Sequence, residues 1–190
     1  MSTLIKANQL KALILIASKA GVRFYLNGVF FDPAGYAVAT DGHMLLAVRV
    51  PAWDGAGFIV PREACVTVLR GLTPSFIAMG VAISVTGTEL SGKPFTTIDA
   101  KYPVWRRVIP ATPSGEHAEY NPDLLAALQS AVSTASDLSK YTLTLCRNGE
   151  RAAVARTPED ILALVMPLRQ DVFTPADAAG SVAQFLKTRS

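Results

Sequence analysis

One order of secondary structure is written three times along these 190 residues, and the repetition limits the fold more than any single motif does. The order is a strand, a helix and three strands. Its first pass opens with a strand over 3–6 and a helix over 8–19, where Leu10, Leu13, Ile14 and Ala17 share a face. Leu15 and Ile16 widen that stripe, so the helix is more apolar than one whose far side meets water. Strands over 22–31, 36–40 and 43–50 follow, with Asn27-Gly28 as a bulge or local turn and Pro33-Ala34-Gly35 as a clear turn. Asp41-Gly42 joins the last two strands into a hairpin, because glycine supplies the positive φ such a turn needs.

The second pass has a strand over 58–60, Pro61 at the first position of a helix to about 69, and Gly71 to end it. Strands over 76–79, 82–86 and 93–98 complete it. The third begins near Ala118. Asn121 caps a helix with Pro122 at its first position and Asp123 in its first turn, running to about 132. Strands over 141–145, 152–155 and 161–165 follow, with Asn148-Gly149 as a hairpin turn. The passes start near residues 3, 57 and 117, a period of roughly 55–60 residues, and repeats of this kind complete one another's cores. The chain divides into a two-unit domain over 1–112, a single unit over 113–170 and a tail over 171–190.

Composition excludes several classes. Half of the residues are hydrophobic and 17% are charged, which is not the balance of a disordered chain. A net charge of +3 permits an anionic partner without requiring one. The apolar run over 12–17 is shorter than the roughly 7–15 residues of a signal core. It is further below the roughly 20 residues of a membrane span, so a cytoplasmic protein without a membrane segment is expected. Cys65 and Cys146 lack metal-ligand spacing and read as free, buried thiols. His43 stands beside Asp41, but no nucleophile or metal ligand accompanies them, so neither a cofactor nor catalysis is expected.

Four ordered stretches carry a resemblance: residues 22–31 (Val-Arg-Phe-Tyr-Leu-Asn-Gly-Val-Phe-Phe), 39–48 around Asp41-Gly42-His43, Val60-Pro61-Arg62, and 102–110 (Tyr-Pro-Val-Trp-Arg-Arg-Val-Ile-Pro). They resemble the middle domain of the bacterial DNA polymerase III beta subunit, the replicative sliding-clamp family. Val165-Met166-Pro167-Leu168-Arg169 resembles the end of that family's last domain. The resemblance implies an α+β DNA-clamp fold, with helices on one face of antiparallel sheets. It leaves out the family's first domain and half of its third, and the tail over 171–190 is extra.

The same resemblance implies a pocket that accepts a short partner peptide with a glutamine and large apolar residues. The first unit supplies Leu26, Thr40, Gly42, His43, Met44 and Leu45. The second supplies Pro103, Arg107 and Val108, and the third Leu164, Met166, Pro167, Leu168 and Arg169. Met44 stands where the family commonly has arginine. The partners implied are DNA polymerase and other clamp-binding proteins. Duplex DNA would face Lys6, Lys11, Lys19, Arg62 and Arg70. Family rings contain twelve units, so three units per chain imply a homo-tetramer, or a dimer whose third units complete a domain together. The few cations on the helices leave an alternative, an adaptor that binds clamp partners without encircling DNA. In the tail, Gln170-Asp171-Val172-Phe173 and Gln184-Phe185-Leu186 each loosely resemble such a peptide, and a helix over 176–187 is the competing expectation.

Overall fold

The first two units exchange their leading strands, so neither forms its sheet alone. The computed structural model describes residues 2–19, 22–136 and 141–168. The first unit comprises β1 (Thr3–Lys6), α1 (Ala7–Ile16), β2 (Gly28–Asp32), β3 (Tyr36–Thr40) and β4 (Met44–Arg49). The second comprises β5 (Phe58–Pro61), α2 (Arg62–Arg70), α3 (Pro74–Ala78), β6 (Ala82–Val85), β7 (Glu89–Leu90) and β8 (Lys93–Pro94). The third has α4 (Pro122–Ser136), β9 (Leu145–Cys146), β10 (Ala153–Ala155) and β11 (Ile161–Val165). β1 pairs with β6 of the second unit, while β5 pairs with β2 of the first. Four strands run β1-β6-β7-β8, and seven run β5-β2-β3-β4-β11-β10-β9. All pairings are antiparallel.

The third unit joins the first directly. β11 lies along the whole outer side of β4, from Ile161 opposite Val48 to Val165 opposite Met44. Behind this seam α1 packs on α4, bringing Leu10, Leu13 and Ile14 into one core with Leu128, Ala131 and Val132. α1 also touches α2 and α3, which explains its excess of apolar residues: only Lys11 and Leu15 of the helix are exposed. Two buried polar side chains cross the same junction. Asn8 Nδ2 donates to the Ala135 carbonyl, and Gln9 Nε2 donates to Asp160 Oδ2, each at 3.4 Å.

Several expected elements differ, and the strand over 141–145 is reduced to Leu145–Cys146. The strand over 76–79 is instead the short helix α3. Thr73 caps it, accepting from the Phe76 backbone N–H, Pro74 starts it, and Gly80 at φ +65° ends it. These local signals outweigh the apolar run Phe76-Ile77. The strand over 22–31 divides into a 3-10 turn at Phe24–Leu26 and β2, because the Leu26 and Asn27 N–H groups bond back to Arg23 and Phe24. The third strand of the second unit shrinks to Lys93–Pro94, where proline removes a ladder donor. No strand forms near Ala118; there the Glu119 carbonyl accepts from Leu168 N–H at 2.8 Å.

Leu46 sits at the middle of the joined sheet, opposite both Ala39 and Ala163, and is fully buried. Leu46→Ala should cost about 2–5 kcal/mol through lost burial and the cavity it leaves. Urea unfolding should show a lower midpoint at an unchanged slope.

Candidate functional site

The Asp41-Gly42 turn is built from its own polar side chains. Asp41 Oδ1 accepts from the His43 and Met44 N–H groups at 2.8 and 2.7 Å. The Thr40 hydroxyl donates to the Met44 carbonyl at 2.5 Å and accepts from Gly42 N–H at 3.0 Å. Gly42 takes φ +96°, and a Cβ there would stand 2.6 Å from Arg23 Nη1, so glycine lets the guanidinium lie across the turn. These residues therefore hold a rigid corner, and the His43 carbonyl in turn accepts from Met166 N–H at 2.8 Å. One turn fixes the start of β4 and the end of β11 together.

A cavity of about 200 Å³ opens beside this corner. Leu26, Thr40, Gly42, His43, Met44, Leu45, Pro103, Val108, Leu164 and Met166 all line it, drawn from three parts of the chain. Arg107, Pro167 and Leu168 do not: Arg107 is exposed on the 3-10 turn Trp105–Val108, and Leu168 is tied by its N–H to Glu119. Arg169 lies outside the described residues. Among the described residues six more line it: Arg23, Tyr25, Val104, Trp105, Ala152 and Val165. Ala152 carried no sequence signal, since only strand pairing brings β10 beside β11. Arg23, Tyr25, Val104 and Trp105 lie inside the stretches quoted for the resemblance, next to residues it named. Val104 and Val108 are 54% and 47% exposed, so the cavity has an apolar mouth of the kind that marks a docking site. Met44, only 6% exposed, is part of its floor.

The wall formed by residues 103–108 comes from the second unit and is fastened to the first by a buried carboxylate. Trp105 Nε1–H donates to Asp32 Oδ2 at 3.0 Å, and Arg106 Nη1 donates to the same oxygen at 2.5 Å. The other oxygen, Oδ1, accepts from Ala34 N–H at 3.0 Å. The Arg106 guanidinium lies 4.3 Å from the Trp105 ring centroid and 5.2 Å from that of Tyr36. Burial by itself raises the Asp32 carboxyl. The hydrogen bonds from Ala34, Arg106 and Trp105 outweigh it and hold the group below its ordinary value. Tyr102 stacks on Phe30 at 4.6 Å and anchors the start of the same segment.

The other sequence candidates are spread along the helices and strands. Lys6, Lys11, Lys19 and Arg70 are exposed, whereas Arg62 is half-buried with its N–H on the Asn27 carbonyl. α4 carries no lysine or arginine. Cys65 is buried, which pushes its thiol up to about 12, while Cys146 is exposed rather than buried as expected. Among the described residues no group of three His, Cys, Asp or Glu side chains is placed to hold a metal, and no helix is long and apolar enough to cross a membrane.

Solved structures with the same arrangement are those of sliding clamps. The Bacillus subtilis DNA polymerase sliding clamp superposes with a TM-score of 0.59 at 16% identity, covering 90% of this chain and 65% of that one. The fold is that of the DNA sliding clamps. The Helicobacter pylori beta clamp, solved bound to a DNA ligase peptide, gives a TM-score of 0.58 at 12% identity over 89% of this chain and 66% of that one. In sequence, the chain is 33% identical over 114 residues to the Escherichia coli beta sliding clamp, a match covering 55% of this chain and 31% of that clamp. No family profile matches the chain. It thus spans about a third of the curated relative's length and about two thirds of the solved clamps.

Asp32→Ala should cost about 1–3 kcal/mol, because it leaves the buried Trp105 N–H without an acceptor. The folded carboxyl titrates below its unfolded value of about 4. Its contribution is therefore complete above about pH 4 and is lost as pH falls through the lower folded value. The stability difference between wild type and Asp32→Ala should narrow as urea titrations move from about pH 5 to about pH 3.

Proposed function

We propose that this chain is a non-catalytic sliding-clamp protein that recruits DNA polymerase and other replication partners by taking a short peptide segment into the cavity beside the Asp41-Gly42 turn. The observation that carries the reading is the cavity itself. It is apolar-mouthed, formed by three sequence-distant segments, and lies in a fold whose Helicobacter pylori representative was solved with a DNA ligase peptide. Leu26, Leu45, Leu164, Met44 and Met166 offer an adaptable apolar floor, and His43 and backbone groups can orient a glutamine amide. Two large buried side chains supply roughly 3–6 kcal/mol before ordering costs. Micromolar binding needs about 8 kcal/mol. A peptide site of modest affinity follows.

In this reading residues 1–112 act as one complete clamp domain and 113–170 as half of another, and copies of the chain assemble into a tetrameric ring, or a dimer, around duplex DNA. One observation favours a second reading, an adaptor that binds clamp partners without a ring. α4 has no cation, and α1 exposes only Lys11 and Leu15, so the helices offer few phosphate contacts.

Binding is tested with a fluorescein-labelled peptide carrying glutamine followed by leucine and phenylalanine. Anisotropy should report a Kd of about 10–100 µM, corresponding to roughly 5–7 kcal/mol. Met166→Asp should weaken it at least about tenfold, since a charge would be buried in the apolar floor without a partner. Equal affinity for both proteins contradicts the site. Met44→Arg should change the ranking of peptides with acidic and neutral flanks, measured in the same assay. Native mass spectrometry, with retention on circular against linearised DNA, separates ring from adaptor. Tetramers or dimers held only on circles support the ring, and a monomer at high micromolar concentration supports the adaptor.

A further inference from the structure

We infer that a second cavity, on the far side of Trp105, takes a lysine or arginine side chain of the same partner peptide, so that the docking site reads a basic residue near the apolar pair. The inference rests on the reading of the first cavity as a peptide site and adds a second contact for its ligand.

The two cavities share one sheet face and one wall. Leu45 opposite Leu164 lies in the first, and Ala47 opposite Leu162, the next pair on that face, lies in the second. Such pairs follow one another at about 7 Å. Alanine at 47 leaves the face hollow between Leu45 and Arg49. Residues 103–111 divide the space above: Pro103, Val104 and Val108 line the first cavity, Arg106, Ile109 and Pro110 the second, and Trp105 lines both. The second cavity holds about 510 Å³, within the roughly 300–1,000 Å³ of a ligand pocket.

Its chemistry suits a cation on an aliphatic stem. Ala47, Ile109, Pro110 and Leu162 offer apolar walls along which lysine and arginine lay their methylenes. Four charged side chains border it: Arg49, Arg106, Glu159 and Asp160. Arg106 is committed to Asp32, the one ion pair among the described residues. Two carboxylates then face Arg49 alone. Arg49 N–H donates to the Asp160 carbonyl at 2.8 Å, yet their side chains form no ion pair, and Asp160 Oδ2 accepts from the neutral Gln9 amide at 3.4 Å. The balance is one negative charge beside an apolar hollow. An incoming ammonium or guanidinium offsets it, and a glutamate there would add to it.

The test uses the fluorescein-labelled glutamine–leucine–phenylalanine peptide extended on either side, with lysine, norleucine or glutamate placed two to six residues from the apolar pair, a span of up to about 7–20 Å. At the best position lysine should bind about three- to fivefold more tightly than norleucine, the gain of one or two screened ion pairs, and glutamate more weakly than both. Glu159→Gln/Asp160→Asn should abolish the gain. Glu159→Gln alone, which leaves the Gln9 bond in place, should reduce it. Labelled methyls separate the two cavities: Met44 and Met166 report the first, Ile109 and Ile161 the second, and Ile83, buried on β6, is the control. The lysine peptide should move both sets and leave Ile83 in place. Ile109 and Ile161 unmoved by every peptide, or a lysine gain that persists in the double variant, overturns the inference while movement of Met44 and Met166 upholds the first cavity. Self-association of the unliganded chain that the double variant removes assigns the second cavity to another copy and overturns it as well. If the lysine peptide moves Ile109 and Ile161 but not Met44 and Met166, the basic-residue site stands and the reading of the first cavity fails.

Discussion

Everything at the site depends on β11 lying against β4. That one antiparallel seam joins residues more than a hundred positions apart, and it brings the third unit's last strand to the first unit's hairpin. Closing so long a loop costs conformational entropy, which must be recovered by contacts that form only once it is closed. Here the contacts are the α1–α4 packing behind the sheet and the Asn8 and Gln9 hydrogen bonds across the junction. α1 is almost wholly buried because it serves this seam as well as its own unit. The cavity is a by-product of the same geometry, placed where the seam ends and the Met166 N–H meets the His43 carbonyl.

The walls of the cavity are stiff for local reasons. Thr40 and Asp41 spend their polar atoms on the turn, which leaves the cavity beside it largely apolar. On the opposite side the Asp32 carboxylate holds Trp105 and Arg106, and Trp105 also lines a second, larger cavity bordered by Arg49, Arg106 and Asp160. Preorganised walls reduce the entropy lost when a flexible ligand binds, which suits a site that has only two apolar side chains to capture. Against this background Met44 is a buried floor residue, and the guanidinium nearest the turn belongs to Arg23 on the adjacent segment.

Much of this was legible in the sequence because the signals were local and mutually consistent. The repeated order, the Asp41-Gly42 turn, the proline starts of α2 and α4 and the strand over 161–165 all follow from short-range chemistry. The failures have equally definite causes. Residues 76–79 looked like a strand because Phe76-Ile77 is apolar, but Thr73, Pro74 and Gly80 frame a helical turn. The division of residues 22–31 at Asn27 was visible only as an Asn-Gly pair of uncertain meaning. The exchange of β1 and β5 between units could not be read from any window, since a strand's pattern does not say which edge it joins. Most of the cavity's residues were named through resemblance, while Ala152 needed the register of β10 on β11. Arg107 shows the converse, a residue beside the wall in sequence that is exposed and does not line the cavity.

The reading of this cavity as a peptide site is tested most directly by a partner-like peptide carrying a photo-activatable benzophenone at its terminal apolar position. After irradiation and proteolysis, adducts should fall on all three lining segments, around Leu26, Val104 to Val108 and Leu164 to Met166, and unlabelled peptide should suppress them. Adducts concentrated on exposed apolar side chains outside the cavity, such as Phe76 and Met79, or adducts that unlabelled peptide does not suppress, would contradict it.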